Sequence, residues 1–324
     1  MSVTTPLTLL DHIHGSVSVV GSMNADYTVT VDRLPHPGET VNAGPLRILP
    51  GGKSGNQSVA AARIGADVCL FGAVGSDDNA GFLVDSLNSA GVNTSCIRHV
   101  PGASGATVIT VDKAGENTIA YSSGSNACIS VDYIESMRDA LTSANVLGLC
   151  LESPIESVTA AARMCHGAGV VVLLNDSPFV AELPAELIEA SDILLVNEHE
   201  MAQLLGIAEP DDDNWDGLDW SEVARQMHNF GFGQAVVTLG GDGSVVIDGD
   251  DIHRIAPVKV DAVDTTGCGD AFMGTVLAGL ASGHSLADSA QLASYVSAYA
   301  ATGLGAQASY GTAAQIRERF GVLR

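Results

Sequence analysis

The 324-residue sequence predicts an α/β protein: a mostly parallel central sheet with helices on both faces, plus a small β-sheet lid. Three observations predict it. Short β-branched runs alternate with amphipathic stretches along most of the chain, the order that builds parallel sheets. Those runs are apolar throughout, as strands are when both faces are covered. Two segments, 24–50 and roughly 103–123, break the rhythm with strand patterns of their own.

The expected main-sheet strands are VSVVGS (17–22), VCLFGAVG (68–75), NVLGLC (145–150), VVVLLND (170–176), ILLVNE (193–198) and AVVTLGG (235–241). Helical periodicity falls near 56–64, 79–90, 156–167, 199–206 and 221–230. The interrupting segments contain YTVTVD, ETVNAGPLRIL, ATVITVD and NTIAYSS, with DKAGEN (112–117) as a hairpin turn. They are expected to form antiparallel strands standing off the main domain. The main domain is then 1–23, 51–102 and 124–324, and the lid 24–50 and 103–123. Beyond residue 264 the chain becomes small-residue helix, and the acidic segment EPDDDNWDGLDW (209–220) reads as a solvated connector whose carboxylates lack EF-hand spacing.

A formal net charge of −24, with three lysines among fourteen basic residues, makes nucleic acid and anionic membranes poor partners. Any bound phosphate must be met mainly by backbone N–H groups, a metal ion and a few chosen side chains. The six cysteines form no CxxC pair and no zinc spacing, so they read as reduced core thiols of a cytoplasmic protein. The first residues lack the basic and apolar regions of a secretory signal, and no run reaches membrane-span length.

GGKSGNQ (Gly51 to Gln57) opens a small-residue helix. It ends like a P-loop, but Arg47 stands where the first glycine would be, so it is not one. Its glycines let backbone approach a ligand closely, with Lys53 and Asn56 offering polar contacts, or they simply turn the chain into a helix. DTTGCGDAF (Asp264 to Phe272) places small residues and Asp270 at a helix start. Such a start gathers backbone N–H groups into an anion-binding concavity, and a carboxylate beside it can accept a proton from an attacking hydroxyl. The plain alternative is a helix-capping aspartate among turn glycines.

Together with GSMNADYTVTVDRLPHPGETV (21–41), these segments resemble the two signatures and the opening of the ribokinase family of carbohydrate kinases, which has the PfkB-type fold. LESP (151–154), NDSP (175–178), NEHE (197–200) and TLGGDG (238–243) follow in that family's order and spacing, over nearly the whole chain. The resemblance implies that Asn24, Asp26, Gly52, Lys53, Asn56 and Glu152 hold sugar hydroxyls and that Asp270 is the general base. Gly267, Cys268 and Gly269 would supply the anion hole. Asn197 and Glu200 would position hydrated Mg²⁺ and the phosphates of ATP, with Thr238 and Gly240 along the nucleotide. In the tail GLGAQASYG (303–311), Asp264, Thr266, Ala300, Gly305 and Ser309 would ligate K⁺.

The implied reaction is phosphoryl transfer from ATP to the primary 5-hydroxyl of a small neutral sugar, D-ribose first. Kinases for fructose, deoxyribose or adenosine, or an inactive sugar-binding sensor, are the alternatives. A sugar-phosphate substrate would need Arg33 or Arg47, read as the only basic candidates near the lid, to point inward. The resemblance also implies a homodimer through the lid. Cys268 departs from the usual Ala or Gly, and Ala308 from a common proline.

Overall fold

Strand and helix alternate as the hydrophobic pattern demands. The computed structural model describes residues 6–210 and 214–321. Its strands, in chain order, are β1 (Ser16–Val20), β2 (Asn24–Thr30), β3 (Arg47–Gly51), β4 (Asp67–Val74), β5 (Ile97–His99), β6 (Gly105–Val111), β7 (Asn117–Ser122), β8 (Val146–Cys150), β9 (Val171–Asn175), β10 (Ile193–Asn197), β11 (Gln234–Thr238), β12 (Ser244–Asp248) and β13 (Asp251–Ile255). The helices are α1 (Lys53–Arg63), α2 (Asp78–Ser89), α3 (Val131–Ser136), α4 (Arg138–Leu141), α5 (Ile155–His166), α6 (Ala185–Glu189), α7 (Glu198–Leu205), α8 (Trp220–Phe230), α9 (Cys268–Ala281), α10 (Leu286–Ala300), α11 (Ala306–Ser309) and α12 (Ala313–Phe320).

Nine strands form the main sheet, in the order β13-β12-β11-β10-β9-β8-β1-β4-β5. From β11 to β5 every pairing is parallel. All six expected strands lie in that stretch. Successive residues of each strand feed opposite cores: Ile193 and Leu195 of β10 join one apolar cluster, Leu194 and Val196 the other. That double burial is why the strands read as continuous apolar runs. The antiparallel hairpin β12–β13 was not expected, although its Gly249-Asp250 turn, with Gly249 at φ 61°, is a hairpin signal. Strand β5 has three residues, too few to leave a pattern.

The small sheet runs β3-β2-β6-β7 and is not purely antiparallel as expected. Strands β2 and β6 pair in parallel from Asn24↔Gly105 to Thr30↔Val111. Both leave the main domain in the same direction, because the segment between them returns through β4 and α2. Of ETVNAGPLRIL only the end is strand, in β3, with a single bridge from Ala43 to Val31 before it.

The cysteine reading also needs correction: all six are free, but only Cys150 and Cys165 are buried, and Cys128 is exposed. Of the acidic connector, residues 211–213 lie outside the described residues. Trp215 within it is buried beside His199 of α7, which also pairs with Glu209 at 3.0 Å. No helix among the described residues is long and apolar enough to cross a membrane.

Helices α1 and α9 approach closely because α9 carries Gly274 at the crossing. A Cβ there would stand 2.4 Å from the Gln57 carbonyl oxygen and 2.9 Å from the Ala60 Cβ. Alanine is otherwise preferred in helices by about 1 kcal/mol. Here the helices would have to separate, so Gly274→Ala is expected to destabilise by about 1–3 kcal/mol, read as a lower urea midpoint at unchanged slope. A gain in stability would refute the tight crossing.

Candidate active site

The chain leaves β1 toward β4 and β5 on one side, and returns to build β8 through β11 on the other. Strand order therefore reverses between β1 and β8, and the crevice beyond their carboxyl ends is where open α/β sheets bind ligands. The residues expected to hold a sugar gather there. Asn24 is buried, its Oδ1 accepting from Asn126 Nδ2 at 2.8 Å, while Asn126 Oδ1 accepts the Met23 N–H at 3.1 Å. Thr107 of β6 donates to Asp26 Oδ1. Glu152 Oε2 accepts from the Ser22 hydroxyl and from the Lys53 N–H at 3.1 Å. Gly52 sits at φ 86°, and a Cβ there would lie 2.8 Å from the Asn24 nitrogen. Only glycine permits this turn of the chain against β2. From the small sheet, Tyr121 donates to the Glu152 carbonyl at 3.2 Å, tying β7 to the main domain.

Charge is crowded in this cleft. Burial, reinforced by Glu152 and Asp270, raises the Asp26 carboxyl to about 6, against the opposing hydrogen bond from Thr107. Burial alone would lower the Lys53 ammonium, but Asp270 and Glu152 outweigh it and hold Lys53 above its ordinary range. Arg33 is spent on Glu39 in an exposed ion pair, and Arg47 is exposed. Neither is buried in the cleft.

Asp270 lies in the first turn of α9 and faces α1 across the crossing at Gly274. Its Oδ2 accepts from Asn56 Nδ2 at 2.9 Å and its Oδ1 from Gln57 Nε2 at 3.2 Å. Burial raises the Asp270 carboxyl, while Lys53 and these two amides pull it back. The helix opens at Gly267, φ 75°, without a side-chain cap. The Cys268 N–H donates to the Thr265 carbonyl at 3.1 Å. Among the described residues the Gly267, Gly269 and Asp270 N–H groups have no hydrogen-bond partner. Burial pushes the Cys268 thiol up to about 11, so it carries no charge beside this helix start at neutral pH.

A second cavity, of about 570 Å³, runs from Thr238 and Gly240 to Cys268 and Gly269. It joins the strand β11 end to the α9 start, as the sequence led us to expect. Its walls add Val258 and Lys259 before α9, and Ser297 and Ala298 from α10. Sequence reading missed these, since they belong to no motif. Asn197 and Glu200 lie at the neighbouring strand end, where they form a reciprocal cap on α7: the Glu200 N–H donates to Asn197 Oδ1 at 2.7 Å, and the Asn197 N–H to Glu200 Oε2 at 2.9 Å. Asp176, also missed, is fully buried with Oδ2 unpartnered, and burial together with the Glu200 charge raises it to about 6.

Of the five residues expected around a monovalent cation, the structure joins Asp264 to Thr266 and Gly305. The Asp264 carboxylate accepts the Thr266 N–H at 2.9 Å on one oxygen and the Gly305 N–H at 2.8 Å on the other. Burial works against its charge, but these hydrogen bonds prevail and hold it below the ordinary range. The other two end helices α11 and α10 and bond locally: Ser309 Oγ donates to the Ala306 carbonyl at 2.9 Å, and the Ala300 carbonyl accepts the Gly303 N–H at 3.1 Å.

Residues 15–313 match the pfkB family carbohydrate kinase model. The chain is 32% identical over 296 residues to a ribokinase of Staphylococcus aureus (strain COL), across 90% of this chain and 95% of that one. It is 31% identical over 303 residues to a deoxyribokinase of Salmonella typhi, across 93% and 97%. Among solved structures, Arabidopsis thaliana ribokinase complexed with ribose and ATP superposes with a TM-score of 0.83 at 27% identity, covering 94% of this chain and 98% of that one. A reversed-order α/β sheet, a carboxylate at an uncapped helix start and these likenesses converge: the chain belongs to the pfkB family of carbohydrate kinases and is a sugar kinase.

Proposed function

We propose that the protein phosphorylates the 5-hydroxyl of D-ribose with ATP. The observation that carries this reading is the place of Asp270, held by two amides where the polar cleft meets the cavity that opens on α9. The cleft is lined by the hydrogen-bonding groups of Asn24, Asp26, Lys53 and Glu152, and a site built to bond hydroxyls rejects analogues that lack one. Among the described residues no guanidinium is buried there, which favours an uncharged sugar. The relatives' names support ribose, and the deoxyribokinase of similar identity makes 2-deoxyribose the second reading.

In this mechanism Asp270 accepts the proton of the attacking hydroxyl, and the open N–H groups of Gly269 and Asp270 receive charge on the transferring phosphoryl group. Lys53 balances the carboxylates around the sugar. The base of the nucleotide fits the apolar walls of the 570 Å³ cavity. Magnesium with the nucleotide supplies charge neutralisation of the phosphates. Asn197 and Glu200, fixed by their reciprocal cap, would hold its hydration shell, with the buried Asp176 adding negative charge beneath. The ionised Asp264 in a loop of carbonyl and hydroxyl oxygens fits a hard monovalent cation such as K⁺. The small sheet, 24–50 and 103–123, acts as the lid, already linked to the main domain through Tyr121. Its exposed apolar residues, Ile48, Val108 and Ile119 among them, are the surface through which a second copy docks.

ATP turnover with D-ribose, 2-deoxyribose, D-fructose and adenosine, each with and without K⁺, tests the assignment. Ribose should be preferred, and Asp270→Asn should lower kcat about 10²–10⁴-fold. Asp264→Ala should abolish any stimulation by K⁺. Preference for another acceptor would overturn the ribose assignment, and an active Asp270→Asn variant the base.

Asp26, with its carboxyl at about 6, generates a pH dependence. The ionised form accepts a sugar hydroxyl, so sugar affinity should fall as pH drops below about 6, and Asp26→Asn should flatten that profile. In the unliganded protein the sign is opposite: the native state binds this proton more tightly than the unfolded chain, so stability declines as pH rises from 3.8 to about 6. Calorimetric titrations across this range decide both.

Sedimentation velocity should give a dimer, and Ile119→Lys a monomer. A wild-type monomer at every concentration would remove the docking role of the lid.

A further inference from the structure

Asn56 binds Asp270 with its amino end; the other end of the same amide is also committed. Asn56 Oδ1 accepts from Gln307 Nε2 at 3.1 Å, and Gln307 Oε1 in turn accepts from the Ser86 hydroxyl of α2 at 3.0 Å. The backbone carbonyl of Gln307 accepts from Arg63 Nη1 at 2.7 Å at the end of α1. Gln307 is 4% exposed and Asn56 6%, so water does not readily replace these partners.

A primary amide has one donor end and one acceptor end, and the Ser86 hydroxyl can play either part, so the acceptor-only carboxylate of Asp270 sets the polarity of this chain. The hydroxyl of Ser86 faces the oxygen of Gln307, the amino group of Gln307 faces the oxygen of Asn56, and the amino group of Asn56 faces the carboxylate. Turning the Asn56 amide over would set its oxygen against Asp270 and its amino group against that of Gln307. Both contacts would be repulsive and buried.

We propose that Gln307 is a positioning residue. By holding the Asn56 oxygen it locks the amide so that its amino group always points at Asp270, and the carboxylate keeps one orientation toward the sugar hydroxyl. Gln307 stands two residues beyond Gly305, whose N–H binds Asp264, so the shape of the 303–311 loop and the aim of Asp270 are set together. This inference rests on Asp270 being the base.

The test is a double-mutant cycle between Gln307→Met and Asn56→Ala, read in three ways: kcat, KM for ATP, and calorimetric affinity for the best-accepted sugar without nucleotide. Gln307→Met is expected to lower kcat about 10–100-fold, as small misplacements of catalytic groups do, with KM for ATP unchanged. It should also weaken sugar binding. In the Asn56→Ala background the same substitution should add little to either loss, because it acts through that amide. Additive losses would overturn the proposal and reduce Gln307 to loop packing. Gln307→Glu, which cannot donate when ionised, should be at least as damaging as Met; near-normal kcat in that variant would also overturn it. If Gln307→Met does not fold, Ser86→Ala removes only the far end of the chain. It must then lower kcat without changing KM for ATP, and an unaltered kcat counts against the proposal. Asp270→Asn separates the two ideas: if that variant stays active the base assignment fails, whereas if it is inactive and the cycle is additive only the role of Gln307 fails.

Discussion

The site depends on one close approach, the crossing of α1 and α9 at Gly274. Only because the helices nearly touch can Asn56 and Gln57, neighbours on one turn of α1, both reach the carboxylate in the first turn of α9. Each helix is fixed elsewhere. α1 follows the tight turn at Gly52 against β2, and α9 follows the positive-φ glycine at 267, whose carbonyl Tyr310 holds at 2.8 Å. The apolar cores on either side of the sheet set the helices in place, and the small residue at the crossing converts that packing into hydrogen-bond geometry.

A chain with a net charge of −24 must still receive a polyanion. It does so by placing few positive groups where they act at short range. Lys53 brings positive charge to the cleft of carboxylates, and Lys259 borders the neighbouring cavity with its ammonium on the Gly241 carbonyl at 2.7 Å. The rest of the attraction comes from the α9 start, whose N–H groups carry partial positive charge without any ionisable side chain. Selectivity against other anions follows, since the remaining surface repels them.

The parallel stretch of the main sheet was legible because burial on both faces writes itself as unbroken apolar runs. The clustering of Asn24, Asp26, Lys53, Asn56, Glu152 and Asp270 was legible only through the family resemblance; the glycine-rich segments by themselves pointed to Lys53, Asn56 and Asp270. Long-range pairing was not legible. Nothing near residues 24 or 105 records that β2 and β6 run parallel, since that is fixed by the segment folded between them. Gln57 and Gln307 escaped notice for a similar reason. A buried amide has no sequence signature, and its importance lies in partners hundreds of positions away. The hydrogen bond from the Cys268 N–H to the Thr265 carbonyl is likewise a matter of one turn's geometry, invisible in DTTGCGD.

The parallel pairing of β2 with β6 also orders events in time. Its partners stand about eighty residues apart in the chain, and of the strands between them β3 joins the small sheet while β4 and β5 belong to the main sheet. Closing so long a loop costs entropy that few contacts within the small sheet can offset early. Once β1 and β4 are side by side, however, their outgoing ends already lie together, and that cost has been met by the larger core. The small sheet is thus a late-assembling unit whose integrity reports on that of the central strands. A ribosome delivering this chain would release β2 and its local partner β3 well before β6 emerged to complete the sheet.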